Sequence, residues 1–438
     1  MKNLILAATS VTLLAACGGS GSDSGGNKTP TAAKRIVTQQ HYLRDDCGEL
    51  SPNTLAEFIE HDASGAVVAT HKSDSQGQFS VELNSKTKHL TIHTTEYNSG
   101  YESKNLRTFL DIQAGDLGVV YSDFSISGQC ECAKAVLQLD GLEGVYSGYS
   151  LRVSSERVSK IASNFNYNNT IEMPVCDAQE TLNLRLHSTS SGELVAGTIE
   201  VSANQIYQLT SQDFPFQGQP VIITDYLDNP KYAAWGYNGD RAFWWSNTST
   251  YGEPVYYVPG QAESFKVSVY DYVSEEVNGF DVRVQHYAST PVSADGEVDF
   301  SLLPSLGEVR DRLESSLIAF AENQNASFSY DLSGVHDDAD QTYFGFSFSG
   351  QIPTYWSIEG QLKGTVPDLS LTPELEAFFE QAPFDSVDFE VSVDGLTGVQ
   401  GLQNYRNKFY GQTPQQRNED ATSGVYFYLI EIIQNIPL

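Results

Sequence analysis

Two clusters of the form Asp-x-x-Gly, Asp62-Ala63-Ser64-Gly65 and Asp74-Ser75-Gln76-Gly77, cut the early part of this chain into pieces too short for helices. In such turns the aspartate bonds its own backbone and the glycine supplies a positive φ. The pieces between them, among them Val67-Val68-Ala69-Thr70 and Gln78-Phe79-Ser80-Val81-Glu82-Leu83, have the length and residue types of strands. Further on, Thr181-Leu182-Asn183-Leu184-Arg185-Leu186 alternates polar and apolar without a break, the period of a strand with one buried face. Abundant Tyr (24), Phe (22) and Gly (35) beside only 2 Met point the same way. The chain reads as mainly β.

The stretch from Thr54 to Thr94 resembles the carboxypeptidase regulatory-like, transthyretin-like β-sandwich. In that family a strand, a Gly turn, a strand, an Asp-x-x-Gly turn and a Phe-x-Val strand follow in order, and Phe79-Ser80-Val81 stands in the last place. The resemblance implies a sandwich over residues 36–131 acting as a spacer or docking module without catalysis. A second β domain is expected over 132–218 and a third, carrying an aromatic loop, over 219–299. In the last segment, 300–438, Leu306, Val309, Leu313, Leu317 and Phe320 recur at helical spacing after Pro304. Thr372-Pro373-Glu374 has the form of a capped helix start, and strands surround both helices. The fold class expected is tandem β-sandwich domains followed by a C-terminal α+β domain.

Residues 1–16 carry a charge at Lys2, a short apolar run from Leu4 to Leu14 and small residues before Cys17, the proportions of a signal peptide. Leu14-Ala15-Ala16-Cys17 resembles the lipobox of bacterial lipoproteins. That resemblance implies acyl chains such as palmitate on Cys17 and attachment to a membrane through them. Gly18 rather than aspartate after the cysteine implies the outer membrane, with the face left open. Residues 17–35, rich in Gly and Ser, read as anchor and flexible tether.

With Cys17 acylated, Cys47, Cys130, Cys132 and Cys176 remain, an even number in an oxidising compartment. Cys130 and Cys132 would strain if joined to each other, so two pairings stand open. Cys47–Cys130 with Cys132–Cys176 is preferred, because each bridge then closes its own domain. Zinc on the four thiolates is the rival, and the spacing lacks a second close pair. With 56 acidic against 25 basic residues and a net charge of −31, the chain repels nucleic acid and anionic lipid, cations and basic surfaces are the compatible partners, and a protein or glycan partner is an open expectation.

Trp235, Tyr237, Phe243, Trp244, Trp245, Tyr251, Tyr256 and Tyr257, interleaved with Gly and Asn, form the densest unusual feature. Rings set in polar loops stack on sugars or grip a partner's side chains, so Trp235, Tyr237, Trp244, Trp245 and Tyr256 are the ligand-binding candidates. Trp244 and Trp245 cannot both face inward on one strand, so one of them belongs to a core. His89 and His93 would share a strand face with metal-ligand chemistry, although scattered histidines on a sandwich are far commoner. Asp337, Asp338 and Asp340 offer oxygens to calcium, but the loop lacks the glycine and distant glutamate of a full calcium site. No Gly-x-Ser-x-Gly, His-Glu-x-x-His, phosphate-cradling or dinucleotide-binding signature occurs. The expectation is an anchored, non-enzymatic binding or structural protein. The alternatives are a carbohydrate-active or other hydrolase in the last third and an envelope assembly protein.

Overall fold

The computed structural model describes residues 34–45, 49–98, 101–123, 132–142, 144–155, 159–163, 170–188, 192–227, 230–238, 241–247, 254–277, 280–313, 327–409 and 426–437. Cys17, Cys47 and Cys130 lie outside them, and with them the anchor and one of the two expected disulfides.

The aspartate turns form as their chemistry dictates. The Asp62 carboxylate accepts the amides of Ser64 (2.8 Å) and Ala66 (3.2 Å), and Asp74 those of Gln76 (2.8 Å) and Gln78 (2.9 Å). Gly65, at φ +92, also passes so close to the Asp368 carbonyl that a Cβ would stand 2.0 Å from its oxygen. These turns join Glu57–His61 to Val67–Lys72 and Val67–Lys72 to Gln78–Glu82. Gln78–Glu82, Leu50–Pro52 and Gly115–Asp123 all pair with Ile36–Arg44 in one sheet. That sheet shares a core with Glu57–His61, His89–Asn98 and Tyr101–Phe109, where the rings of Phe58 and Phe79 stack 3.7 Å apart.

A second sandwich holds Ala133–Gln138 between Thr170–Val175 and Ile206–Gln208, with Gln179–Ser188 central in the facing sheet. Leu182, Leu184 and Leu186 are fully buried there, as the alternation requires. Ala133 sits opposite Val175, so Cys132 and Cys176 stand side by side beyond the ladder's end, and they form a disulfide with Cα atoms 4.6 Å apart.

The dominant element is a 12-stranded sheet. Its order is Arg241–Asn247, Lys231–Asn238, Ser264–Val277, Phe280–Pro291, Tyr426–Pro437, Phe384–Leu396, Ala339–Gly350, Thr354–Gly360, Tyr101–Phe109, His89–Asn98, Glu57–His61 and Val67–Lys72. Neighbours run antiparallel except where Thr354–Gly360 pairs in parallel with Tyr101–Phe109. Strands from three of the four sequence segments therefore hydrogen-bond within one sheet, and the cuts at 218/219 and 299/300 fall between its members. Alternation shows that a strand exists and which face is apolar; it holds no information on which strand lies next to it.

Side chains lock the parallel seam. Burial lowers the pKa of His61 to about 4, so the ring is neutral and, by hydrogen-bond logic, donates from Nδ1 to the Gly65 carbonyl (3.1 Å). Its Nε2 then accepts from the Thr91 hydroxyl (2.8 Å), Thr91 accepts from Thr108 (2.8 Å), and Thr108 accepts from the Trp356 indole N–H (2.9 Å). One directional chain thus crosses four strands. Thr108→Val removes its middle link and is expected to lower unfolding free energy by about 1–3 kcal/mol, because it leaves buried polar groups unmatched. Urea denaturation checks this, and an unchanged midpoint would show that the chain contributes nothing.

Among the described residues three α-helices lie in the last third. In α1 (described over 306–313), Ser305 and Glu308 form a reciprocal cap: the Ser305 amide donates to Glu308 Oε2 (2.9 Å) and the Glu308 amide to Ser305 Oγ (3.3 Å). Val309 and Leu313 are fully buried in the main core, and the expected continuation through Leu317 and Phe320 lies outside the described residues. α2 (Pro373–Gln381) starts with proline at the expected place, but the Thr372 hydroxyl does not cap it and is buried without a partner. Leu375 of α2 packs on Ile59 and Leu106 instead, so tertiary burial holds the helix start. α3 (Leu402–Phe409) has no forerunner in the sequence reading. The chain is mainly β, and among the described residues the α-helices lie in an α+β last third, with one short 3-10 turn at Ser211–Asp213.

Candidate functional site

Period two gives the large sheet two faces. Ala234, Val267, Val269, Ala288, Val391 and Leu429 bury one of them in the main core. The alternate positions form the opposite face, polar on most strands, with Ile430 and Ile432 of Tyr426–Pro437 between its two zones. Its first zone lies on Lys231–Asn238, Ser264–Val277 and Phe280–Pro291, whose registers set Lys231 opposite Tyr270, Trp235 opposite Lys266 and Tyr270 opposite Tyr287. Cations sit over rings throughout: Lys266 Nζ is 4.8 Å from the Tyr237 centroid, and Lys231 (5.1 Å) and the Arg283 guanidinium (5.4 Å) both address Tyr272. The Tyr270 hydroxyl donates to Gln285 Oε1 at 2.9 Å. Burial lowers the Lys266 ammonium to about 8 and raises the Tyr237 phenol to about 12. Tyr272 stays 40% exposed.

The second zone is a cleft of about 360 Å³ between Tyr101–Phe109, Thr354–Gly360, Ala339–Gly350 and Phe384–Leu396. Gly345, Ser347 and Ser357 make a floor of small residues; Arg107, Tyr343, Tyr355, Asp388 and Glu390 rise around it. Gly345 is needed for the depth, since a Cβ there would meet the Tyr343 ring at 2.8 Å and Glu390 at 3.3 Å. Arg107 Nε donates to the buried Glu359 carboxylate at 2.5 Å. Burial, with Glu390 and Glu359 nearby, holds the Tyr343 phenol protonated far above its ordinary range. Asp388 and Glu390, two apart on one strand, share this face. The cleft has the means to bind hydroxyls and cations.

α3 closes the same face at its end. The Asp340 carboxylate accepts the Gly401 amide (2.6 Å) at the start of α3 and the Leu396 amide (3.4 Å), and the Tyr405 hydroxyl donates to Asp394. Arg406 lies 5.1 Å from the Phe109 ring, which Arg107 also flanks at 4.9 Å. Asp394 is buried, which pushes its carboxyl up to about 7.

The sequence candidates fare differently. Trp235 and Tyr237 do face the first zone, but on a hairpin of Lys231–Asn238 with Arg241–Asn247 rather than in a loop. Cross-strand register outweighs the Gly and Asn content, and Gly236 simply occupies a buried strand position. The backbone of Trp244 lies opposite that of Trp235; the side chains of Trp244 and Trp245 lie outside the described residues. Tyr256 is elsewhere, in a two-stranded ladder with Gln219–Pro220, packed on the main core. Asp340 is turned inward to cap α3 while Asp337 is exposed, so the three aspartates do not gather as a calcium loop would. His89 Nδ1 accepts the Asp111 amide at 3.2 Å and His93 Nδ1 lies 3.7 Å from Glu57, and among the described residues no group of three His, Cys, Asp or Glu side chains converges as a metal site. Lys231, Lys266, Tyr270, Tyr272, Arg283 and Tyr287 were not foreseen. The alternation in Ser264-Phe265-Lys266-Val267-Ser268-Val269-Tyr270 marks a face, but only pairing brings these residues to Trp235.

No protein-family model and no curated protein matches this chain. Among solved structures it is similar to the shaft pilin SpaA of Lactobacillus rhamnosus GG at 11% identity, covering 40% of this chain and 97% of that one with a TM-score of 0.16. Two B repeat units of the collagen-binding protein of Staphylococcus aureus match at 10% identity over 60% of this chain and 74% of theirs, TM-score 0.15. A streptococcal ancillary pilin matches at 11% identity over 40% and 62%, TM-score 0.17. At such scores the likeness is confined to β-rich architecture.

Proposed function

We propose that this protein is a non-enzymatic binding protein of the cell envelope, held at the outer membrane by acyl chains on Cys17, that presents the polar face of its large sheet to a glycan chain. The observation that carries the binding reading is the run of half-buried rings on adjacent strands, Trp235, Tyr237, Tyr270, Tyr272 and Tyr287, on the side of the sheet away from the core. Sugar rings present apolar C–H faces to such rings and hydroxyls to the phenols and amides between them. A row of rings across several strands suits an extended chain better than a compact ligand. The anchor rests on the lipobox alone, and an intact mass retaining Met1 without added lipid would remove it.

The binding reading is tested by screening the full chain against immobilised polysaccharides, then comparing Trp235→Ala together with Tyr272→Ala. Loss of two stacking contacts is expected to weaken binding by about tenfold or more, with the thermal unfolding transition within a few degrees of the parent. Undiminished binding by the double variant would place the contact surface elsewhere.

A further inference from the structure

The first zone of the polar face has a charge composition unlike the rest of the chain. Acidic residues outnumber basic ones 56 to 25, yet the positions on this face from Lys231 to Tyr237, Ser264 to Ser274 and Arg283 to Ser289 carry no carboxylate, the first on the same face being Glu276 and Asp281 one step beyond Ser274 and Arg283. Three cations stand there, Lys231, Lys266 and Arg283, and none makes an ion pair within the described residues. Elsewhere Arg107, Lys104, Lys134, Arg310 and Lys363 each find a carboxylate. Lys231 and Arg283 moreover address the same ring, at 5.1 and 5.4 Å from the Tyr272 centroid, from the strands on either side of it. Each cation is placed to accept an anionic group, and the exposed part of the Tyr272 ring offers apolar surface beside it.

We infer that this zone binds an acidic polysaccharide, its carboxylate or sulfate groups on Lys231 and Arg283 and its ring faces on Tyr272 and Trp235. The inference rests on the reading of the sheet face as a glycan-binding surface and adds the ligand's charge class. Uncompensated cations set among rings, inside a body whose long-range field is negative, give local selection for an anion without general attraction to polyanions. A nucleic acid meets the same long-range repulsion as an acidic polysaccharide, and what favours the polysaccharide is the apolar C–H faces that its sugar rings offer to Tyr272 and Trp235.

The test uses the full purified chain and four probes: polygalacturonate, dextran sulfate, unmodified dextran and a thymidine homopolymer. The acidic polysaccharides are expected to bind at least about tenfold more tightly than dextran and to weaken as salt rises. Lys231→Gln with Arg283→Gln should lose about tenfold for the acidic probes and leave dextran unchanged. Lys231→Gln alone, at an exposed position, should show part of the loss with the fold intact. Equal binding of dextran and dextran sulfate, both abolished by Trp235→Ala, would keep the face as a glycan site and overturn its acidic preference. Binding of the acidic probes that the cation substitutions do not touch would also overturn it, as would tighter retention of the thymidine polymer. Failure of every polysaccharide to bind would remove both readings.

Discussion

Acidification from pH 7 to pH 5 is expected to destabilise the fold steeply, with unfolding accompanied by the uptake of several protons. His41, His61, His93 and His286 are each desolvated enough to lower their pKa from the ordinary 6.5 to about 4. The folded chain therefore keeps these rings neutral where the unfolded chain protonates them. Since the unfolded state binds more protons, stability is full above pH 6.5 and falls as pH drops toward 4. Each ring contributes about 2 kcal/mol of loss between pH 6.5 and 5. Packing explains why the rings stay neutral: His41 Nε2 bonds Gln39 Oε1 (2.8 Å) with Nδ1 sealed and unpartnered, and both nitrogens of His61 are engaged in the seam. Urea denaturation at pH 7, 6 and 5 should show the midpoint falling. His286→Leu, which removes one titrating ring from the core face, should reduce the slope by about one proton. A midpoint that is flat or rises over this range would show that the rings are not held neutral.

Asp394→Asn should stabilise the protein in alkaline solution by about 4 kcal/mol. Burial leads the causes that raise this carboxyl from 3.8 to about 7, with Glu359 and Asp340 adding repulsion and the Tyr405 hydroxyl opposing them. Here the folded state holds its proton longer than the unfolded one. Its contribution is thus intact below about pH 4, declines as pH rises through the folded value, and is absent above it. Asparagine keeps an acceptor for Tyr405 and never ionises, so the variant should lose one proton from the stability profile between pH 4 and 7 and melt higher at pH 8. Equal melting temperatures at pH 8 would mean that the carboxylate is solvated and that α3 is not seated over it. The effect opposes that of the histidines, and four rings outweigh one carboxyl, so the net slope below pH 6.5 still favours neutral solution.

Much of the local structure was legible in the residues. Leu182, Leu184 and Leu186 are buried as their alternation requires, the aspartate turns close as their chemistry predicts, and Pro373 starts α2. Strands surround the helices of the last third as expected, Ala339–Gly350 and Phe384–Leu396 among them. α3 was not legible: Leu402-Gln403-Asn404-Tyr405-Arg406-Asn407 shows too few apolar positions for a periodic signal, and Asp340 and Asp394, distant in sequence, hold it in place. The candidate site was half legible. Trp235 and Tyr237 were singled out by composition, while Tyr256 was grouped with them although its ladder puts it on the main core.

Period, turn chemistry and residue type are local properties, and they determined that this chain would make strands, where the early ones would end and which positions would be apolar. Which strands became neighbours depended on pairings between residues hundreds of positions apart, as at the seam between Tyr101–Phe109 and Thr354–Gly360. A backbone ladder is the same whatever side chains it carries, so neither strand's sequence names its partner. Only the assembled sheet set Lys231 and Arg283 about one tyrosine ring and laid the glycine-floored cleft on the same face.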